Sequence, residues 1–161
     1  MLPMKHSAHA LKGKLALGIF RLSLRDLTRK DKDLWLEDLE DTLKNAKDLK
    51  AAGFYDVAAL YIQLAVEKAL KAAIAAFLNT EPPKDHNLMR LYSKVADKLD
   101  LNKEQLIFLR ELTSAAYETR YMDFSFKRPR ENYTKDVADE YMNKALLIIE
   151  HIKIAIEAEK K

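Results

Sequence analysis

Three stretches of the sequence concentrate side chains that can bind charged ligands or move protons. Glu67 and Lys71 stand four positions apart in the first, and His86 directly follows Asp85 in the second. The third, residues 117–133, mixes acids, bases and aromatic rings. A carboxylate, an imidazole and a group of cations offer general acid–base chemistry or phosphate binding. A simpler interpretation is an ordinary ion pair between Glu67 and Lys71, with His86 only holding a loop between helices.

The third stretch stands out because it is aromatic, basic and interrupted by proline. Its cations are Arg120, Lys127, Arg128 and Arg130, and its rings are Tyr121, Phe124, Phe126 and Tyr133. Cations contact phosphates while rings stack on bases, which suits single-stranded RNA or a nucleotide. Alternatively, the rings cover one end of the fold and the arginines pair with acids. The predicted ligand-binding residues are Glu67, Lys71, His86, Tyr117, Arg120, Tyr121, Asp123, Lys127, Arg128 and Arg130.

Other kinds of site are disfavoured by what the sequence lacks. Its three glycines form neither a phosphate-binding Walker loop nor the glycine fingerprint of dinucleotide-binding folds. The Glu-x-x-His pairs of di-metal bundles are missing, because proline and isoleucine stand three positions before His86 and His151. His6 and His9 have no carboxylate close by, and no local signature of a serine hydrolase is present. We therefore expect neither a metal nor a cofactor.

The composition indicates what kind of protein must position these groups. A chain of 161 residues suits one domain, and few Gly and Pro favour helices. Cysteine is absent, which excludes disulfides and thiolate chemistry and favours a cytoplasmic protein. The longest uncharged run, residues 57–66, is far shorter than the roughly 20 apolar residues of a membrane-spanning helix. We expect a soluble protein without a membrane span.

Apolar residues recur at helical spacing from Asp33 onward. Gly53 is expected to stop the first helix, and Pro82 and Pro83 to follow the second. The later helices are expected to be capped by Asp56, Asp85, Asn102 and Thr134. Because short connections force neighbouring helices to be antiparallel, residues 33–161 are predicted to form an all-α, up-and-down bundle of four or five helices.

Residues 1–32 form a basic arm in front of this predicted bundle. Residues 1–30 hold seven Lys or Arg and one acid, a net charge of +6, whereas the remainder holds 21 bases and 24 acids, or −3. Leu11, Leu15, Ile19 and Leu22 recur at helical spacing, so the arm is either an amphipathic helix or an unstructured tail. Such arms attract nucleic acid or anionic lipid, or are merely solvated.

Four segments of the sequence resemble the HEPN domain family in order and spacing. They are Gly53-Phe54-Tyr55, the run Gln-Leu-Ala-Val-Glu-Lys-Ala-Leu-Lys-Ala at 63–72, Asp-His-Asn-Leu at 85–88, and Tyr-Glu-Thr-Arg-Tyr at 117–121. The resemblance covers about residues 33–155 and leaves the arm outside. It implies a bundle of four or five helices, usually a homodimer, often encoded beside a minimal nucleotidyltransferase and linked to nucleotide or RNA binding.

The resemblance also implies a test for enzymatic activity. Many HEPN proteins are ribonucleases in which an Arg is followed, after four to six residues, by a His that serves as acid and base. None of the four histidines here has an Arg at that distance before it, and Arg120 is followed by Tyr121. The chain thus resembles the branch with an Arg-Tyr signature, and an enzymatic role is disfavoured.

Three functions remain open at this point. The first is a non-catalytic, homodimeric module that binds a nucleotide, RNA or a nucleotidyltransferase partner. The second is a ribonuclease toxin of a toxin–antitoxin pair, in which Arg120 and His86 meet in space although their order in the sequence does not follow the family. The third is a helical scaffold whose only purpose is dimerisation.

Overall fold

The structure is a computed structural model that describes residues 31–118 and 129–159, with the backbone alone at positions 129 and 130. All but the last two residues of the basic arm 1–32, and most of the basic aromatic stretch, therefore lie outside the described residues. The separation of the chain into arm and bundle stays a prediction.

Helix α1 (Lys32–Ala51) has a defined start and a defined end. The carboxylate of Asp31 accepts a 2.9 Å hydrogen bond from the backbone N–H of Asp33, which caps the first turn. At the other end, the N–H groups of Gly53 and Phe54 donate to the carbonyls of Lys50 and Leu49, each over 3.0 Å. This is a Schellman motif, and it places Gly53 at a φ of +86°. The predicted glycine stop is confirmed.

Helix α2 (Tyr55–Leu78) forms the centre of the bundle. Its residues are buried on nearly every side, and its many alanines let α1 and the last helix pack closely against it. The prediction that Asp56 caps this helix is wrong. Phe54 occupies the cap position without a side-chain hydrogen bond, and Asp56 lies in the first turn, where its charge favours the positive end of the helix dipole.

The predicted third helix is divided into α3 (Leu88–Ser93) and α4 (Ala96–Leu99). Asn87, not Asp85, is its N-cap, and its side-chain oxygen accepts a 3.1 Å hydrogen bond from the N–H of Arg90. Asp85 lies in the preceding turn and accepts from the N–H of Asn87 over 3.0 Å. Sequence could not separate these two residues, since Asp and Asn are similarly favoured as caps.

The last three helices are α5 (Lys103–Glu118), the short α6 (Pro129–Asn132) and α7 (Lys135–Glu159). Asn102 caps α5 through a reciprocal pair of hydrogen bonds with Gln105, of 2.8 and 3.0 Å. Thr134 accepts from the N–H of Val137 over 3.3 Å and begins α7. Both caps agree with the sequence.

One continuous core joins α1, α2, α5 and α7 with the two short helices α3 and α4. Its large, fully buried side chains include Leu39, Ile62, Leu70, Leu91, Leu109 and Ile148. No strand is found among the described residues, so the predicted all-α fold class is confirmed. In the part of the chain that the structure describes, no helix has the length and hydropathy needed to cross a membrane.

Candidate functional site

A row of polar side chains runs along one face of the otherwise apolar helix α2. Gln63, Glu67 and Lys71 follow one another at intervals of four residues, which places them on one face. Their exposed fractions are only 1%, 4% and 6%. Because burying polar groups without partners is costly, each of these side chains must find partners within the protein.

Lys71 neutralises the buried carboxylate of Glu67. Its Nζ donates a 2.8 Å hydrogen bond to Oε1 of Glu67, and the same ammonium group lies 5.4 Å from the centre of the Trp35 ring on α1. The aromatic face adds a favourable cation–π contact at the junction of α1 and α2. Lys68, one position after Glu67, points elsewhere and pairs with Asp38 over 2.9 Å.

His86 connects this buried pair to the surface. Its Nδ1 lies 3.1 Å from both carboxylate oxygens of Glu67, while the side chain of His86 is 67% exposed. An ionised carboxylate can only accept, so Nδ1 must carry a hydrogen and donate it. In the neutral ring, Nε2 then has a free lone pair and no partner among the described residues. The imidazole is therefore held in one orientation and can accept a proton or a hydrogen bond from a ligand.

Gln63 fixes the loop that carries His86. Its Nε2 donates to the backbone carbonyl of His86 over 3.0 Å and lies 3.4 Å from Oε2 of Glu67. Because both of these neighbours are acceptors, the amide nitrogen must face them. Oε1 of Gln63 is then a buried acceptor without a hydrogen-bond partner among the described residues. A water molecule or a ligand N–H group would satisfy it.

A cleft of about 480 Å³ opens beside these residues, between the loop before α3 and the end of α5. It is lined by Gln63, Lys84, Asp85, His86, Asn87, Arg90, Thr113, Ala116 and Tyr117. Lys84 is exposed and has no ion-pair partner in the described part of the chain. The cleft thus offers a free ammonium group, an oriented imidazole and an exposed aromatic ring.

Asp85 and Arg90 form a bidentate ion pair on the wall of the cleft. Nε and Nη2 of Arg90 donate to the Asp85 carboxylate over 2.6 and 2.8 Å. These hydrogen bonds hold the pKa of Asp85 well below its usual range, despite an opposing effect of burial. The pair keeps the Asp85 charge balanced, so it does not repel an anion in the cleft as a lone carboxylate would.

The structure brings together four of the predicted site residues. Glu67, Lys71 and His86 form one hydrogen-bonded chain, and Tyr117 lines the same cleft as His86. The remaining predicted residues are outside the description: Arg120, Tyr121, Asp123, Lys127 and Arg128 entirely, and Arg130 in its side chain. Whether Arg120 meets His86, as the ribonuclease hypothesis requires, stays untested.

The undescribed stretch begins close to the cleft. It starts after Glu118, one position beyond the cleft-lining Tyr117. It ends at α6, and the following Tyr133 is buried, with its hydroxyl 3.4 Å from the carbonyl of Ala115. Burial, together with the nearby charge of Glu118, raises the pKa of Tyr133. This ring therefore covers the end of the bundle, as the simpler interpretation of the aromatic residues proposed.

Sequence reasoning missed three groups that line the cleft: Gln63, Lys84 and Arg90. A signal existed for Gln63, since it is the one polar residue in the uncharged run of α2 and stands four positions before Glu67. Arg90 gave no signal, because its contact with Asp85 depends on the turn that ends at Asn87.

The site does not have the composition of a metal centre. Within residues 31–118 and 129–159, no three His, Cys, Asp or Glu side chains converge as metal ligands would. The buried carboxylate of Glu67 already has a lysine, a histidine and an amide as partners.

Known proteins resemble the chain in both sequence and fold. The family model of the HEPN domain matches residues 33–155. Among solved structures, the chain is similar to TT1696 from Thermus thermophilus, with a TM-score of 0.65, 20% identity, and 77% of this chain and 97% of that chain covered. It is also similar to ST0689, an archaeal HEPN homologue, with a TM-score of 0.60, 25% identity, and coverages of 78% and 98%. No curated protein sequence matches it.

Proposed function

The chain belongs to the HEPN domain family, and on this basis we propose that it is a non-catalytic module that binds RNA or a nucleotide in the cleft beside His86. The observation that carries this proposal is an exposed imidazole held in place by a buried carboxylate, next to the unpaired ammonium of Lys84.

The groups of the cleft match the parts of a nucleotide. The ammonium of Lys84 attracts phosphate oxygens, as does His86 in the state in which both ring nitrogens carry hydrogens. The exposed ring of Tyr117 offers a surface on which a base can stack.

The basic aromatic stretch supports the same proposal because it follows the cleft-lining Tyr117 directly in the chain. Its chain leaves next to Tyr117, so Arg120 and Tyr121 follow the cleft rim by only a few positions. Three further cations, Lys127, Arg128 and Arg130, follow within ten positions of Arg120 in the sequence. We propose that these residues, with Asp123, extend the binding surface from the cleft.

A titration observed by NMR tests the proposal. Single-stranded RNA or a mononucleotide, added at low salt, is expected to shift the amide signals of Lys84, His86 and Asn87 and of the end of α5. The amides of Lys103 and Glu104, at the other end of α5, serve as an internal control. Shifts confined to those control positions, or none with any ligand, would argue against the cleft as a binding site.

The proposal also includes a homodimer and a nucleotidyltransferase partner, both of which rest on family membership, and a cytoplasmic setting, which rests on the absence of cysteine. Sedimentation tests the homodimer. Copurification with the product of a neighbouring nucleotidyltransferase gene tests the partner. If Arg120→Ala and Arg128→Ala leave all partner binding unchanged, the purely structural scaffold is favoured.

A ribonuclease is the second candidate, because the Glu67–His86 pair is an arrangement that can support general acid–base catalysis. In that proposal Arg120 approaches His86 and stabilises phosphate charge. Incubation of cellular RNA with the wild type and with His86→Ala distinguishes a ribonuclease from a binding module. Cleavage by the wild type alone would establish an enzyme, whereas equal cleavage or none would leave the binding module.

A further inference from the structure

A second groove lies at the opposite end of α7 from α6. It runs between the first turns of α1 and the last turns of α7, and its volume is about 530 Å³. Its walls are Asp33, Leu36, Glu37, Glu40, Lys153 and Glu157. Leu36 is only partly buried, so the groove has an apolar element between charged walls.

The charge of this groove is negative. Four of the six lining residues are acids, and the one lining cation, Lys153, is already hydrogen-bonded to Glu40. Asp33 lies 3.8 Å from the ammonium of Lys32 and is itself largely exposed. In the part of the chain that the structure describes, Glu37 has no ion-pair partner, although it is exposed. A groove with excess negative charge and an apolar floor suits a basic, amphipathic segment.

The chain supplies such a segment immediately beside the groove. Residues 1–30 carry a net charge of +6 and connect to α1 at Asp31, two positions before the groove-lining Asp33. Leu11, Leu15, Ile19 and Leu22 recur at helical spacing, with Lys12, Lys14, Arg21 and Arg25 among them. The five residues 26–30, which join the basic residues up to Arg25 to Asp31, can span up to about 17 Å, whereas the groove extends about 10 Å along α1.

We propose that the groove between α1 and α7 is the docking site of the basic segment 11–25 of the same chain. The cations of this segment pair with Glu37 and its acidic neighbours, and its apolar residues contact Leu36. Attachment at Asp31 keeps the segment at a high effective concentration near the groove, so weak contacts suffice. Docking would also reduce the positive charge that the arm presents to nucleic acid.

The absence of cysteine allows a clean test on the full chain. A spin label on Asp41→Cys, an exposed position one turn beyond Glu37 on α1, is expected to abolish most of the amide signal intensity of residues 11–25. The same label on Asp136→Cys is the control, since position 136 lies 21 residues from Glu157, about 31 Å along α7. Equal effects of both labels on the arm, or none from either, would overturn the proposal.

Charge reversal gives a matched second comparison. Asp33→Lys with Glu37→Lys is expected to release the arm and restore its signals when the label is placed at Glu157→Cys. The control is Asp136→Lys with Glu140→Lys, which reverses two acids at the same spacing in the first two turns of α7. It is expected to leave the signals of the arm unchanged.

A mixing experiment separates the possible occupants of the groove. Spin-labelled protein is mixed with isotopically labelled protein that carries no spin label, so that only contacts between copies broaden the arm signals. Weak or absent broadening in the mixture is expected. Broadening equal to that within one chain would assign the groove to the arm of a second copy and contradict same-chain docking.

Discussion

Nδ1 of His86 lies 3.1 Å from each carboxylate oxygen of Glu67, so a buried acid on α2 determines how an exposed imidazole on the next loop is oriented. The acid is in turn held by Lys71 over 2.8 Å. Of these three side chains, only the histidine reaches solvent to any large extent. The buried Glu67–Lys71 pair therefore holds the exposed imidazole of His86 in one orientation.

The tautomer of His86 follows directly from this contact. In the neutral state its hydrogen is expected on Nδ1, with Nε2 unprotonated, because Glu67 only accepts. His151 is an internal control with the opposite expectation, since its Nε2 lies 2.6 Å from the carbonyl of Leu99 and must donate. Long-range nitrogen–proton NMR correlations distinguish the two forms. The same tautomer for both histidines would contradict the described geometry.

The buried ion pair between Glu67 and Lys71 predicts that removing one charge lowers stability more than removing both. Lys71→Met leaves the Glu67 charge without its cation and is expected to lower the free energy of unfolding by about 3 kcal/mol. Adding Glu67→Gln should restore much of that loss, because no unpaired charge remains. Lys68→Met, on the same helix, removes a more exposed pair and is expected to cost less than about 1 kcal/mol. Urea unfolding measures all three, and equal losses for Lys71→Met and Lys68→Met would contradict this interpretation.

The Asp85–Arg90 pair predicts a dependence of stability on pH. Because the folded-state pKa of Asp85 is depressed, its stabilisation is complete above the unfolded value of about 3.9 and disappears as the pH falls through the folded value. Asp85→Asn is therefore expected to be less stable than the wild type near neutral pH, by about 0.2–1 kcal/mol, and equally stable in strong acid. Asp97→Asn, at an exposed position, should show no such convergence. A constant difference between the wild type and Asp85→Asn at every pH would contradict the prediction.

Substitutions of Gly53 are expected to lower the stability of the fold through the backbone conformation alone. Its φ is +86°, and a Cβ placed there would meet nothing within 4 Å. Gly53→Ala is therefore expected to destabilise the protein by about 1–2 kcal/mol through the left-handed conformation. Gly53→Asn should cost less, since asparagine tolerates this region. Thermal unfolding of both variants checks the order, and an equal loss would indicate a different cause.

The fold was largely predictable from the sequence, for a local reason. Apolar spacing of three and four residues, the glycine at 53 and the caps at Asn102 and Thr134 each act within one or two helical turns. The errors at Asp56 and Asp85 also have local causes. Phe54 begins α2 without a side-chain cap, and Asn87 lies two positions after an equally suitable aspartate.

The site was less predictable, because its contacts cross the chain. Glu67 and Lys71 were identifiable as a pair, but their link to His86 joins positions 19 residues apart. Gln63 acquires its role only because the loop carbonyl of His86 comes within 3.0 Å. Lys84 and Tyr117 share a cleft because α5 packs against α2 and α3. Side-chain types indicated binding, and packing decided which of them meet.

Binding of single-stranded RNA to the full chain, followed by fluorescence anisotropy at two salt concentrations, tests the central proposal most directly. Lys84→Ala with His86→Ala is expected to weaken binding and to reduce the salt dependence by roughly one to two phosphate contacts. Lys103→Ala removes a lysine outside the cleft, ten residues or about 15 Å along α5 from the lining Thr113, and should have little effect. Equal affinities for the wild type and the Lys84/His86 double variant would contradict the assignment of the cleft as the ligand site.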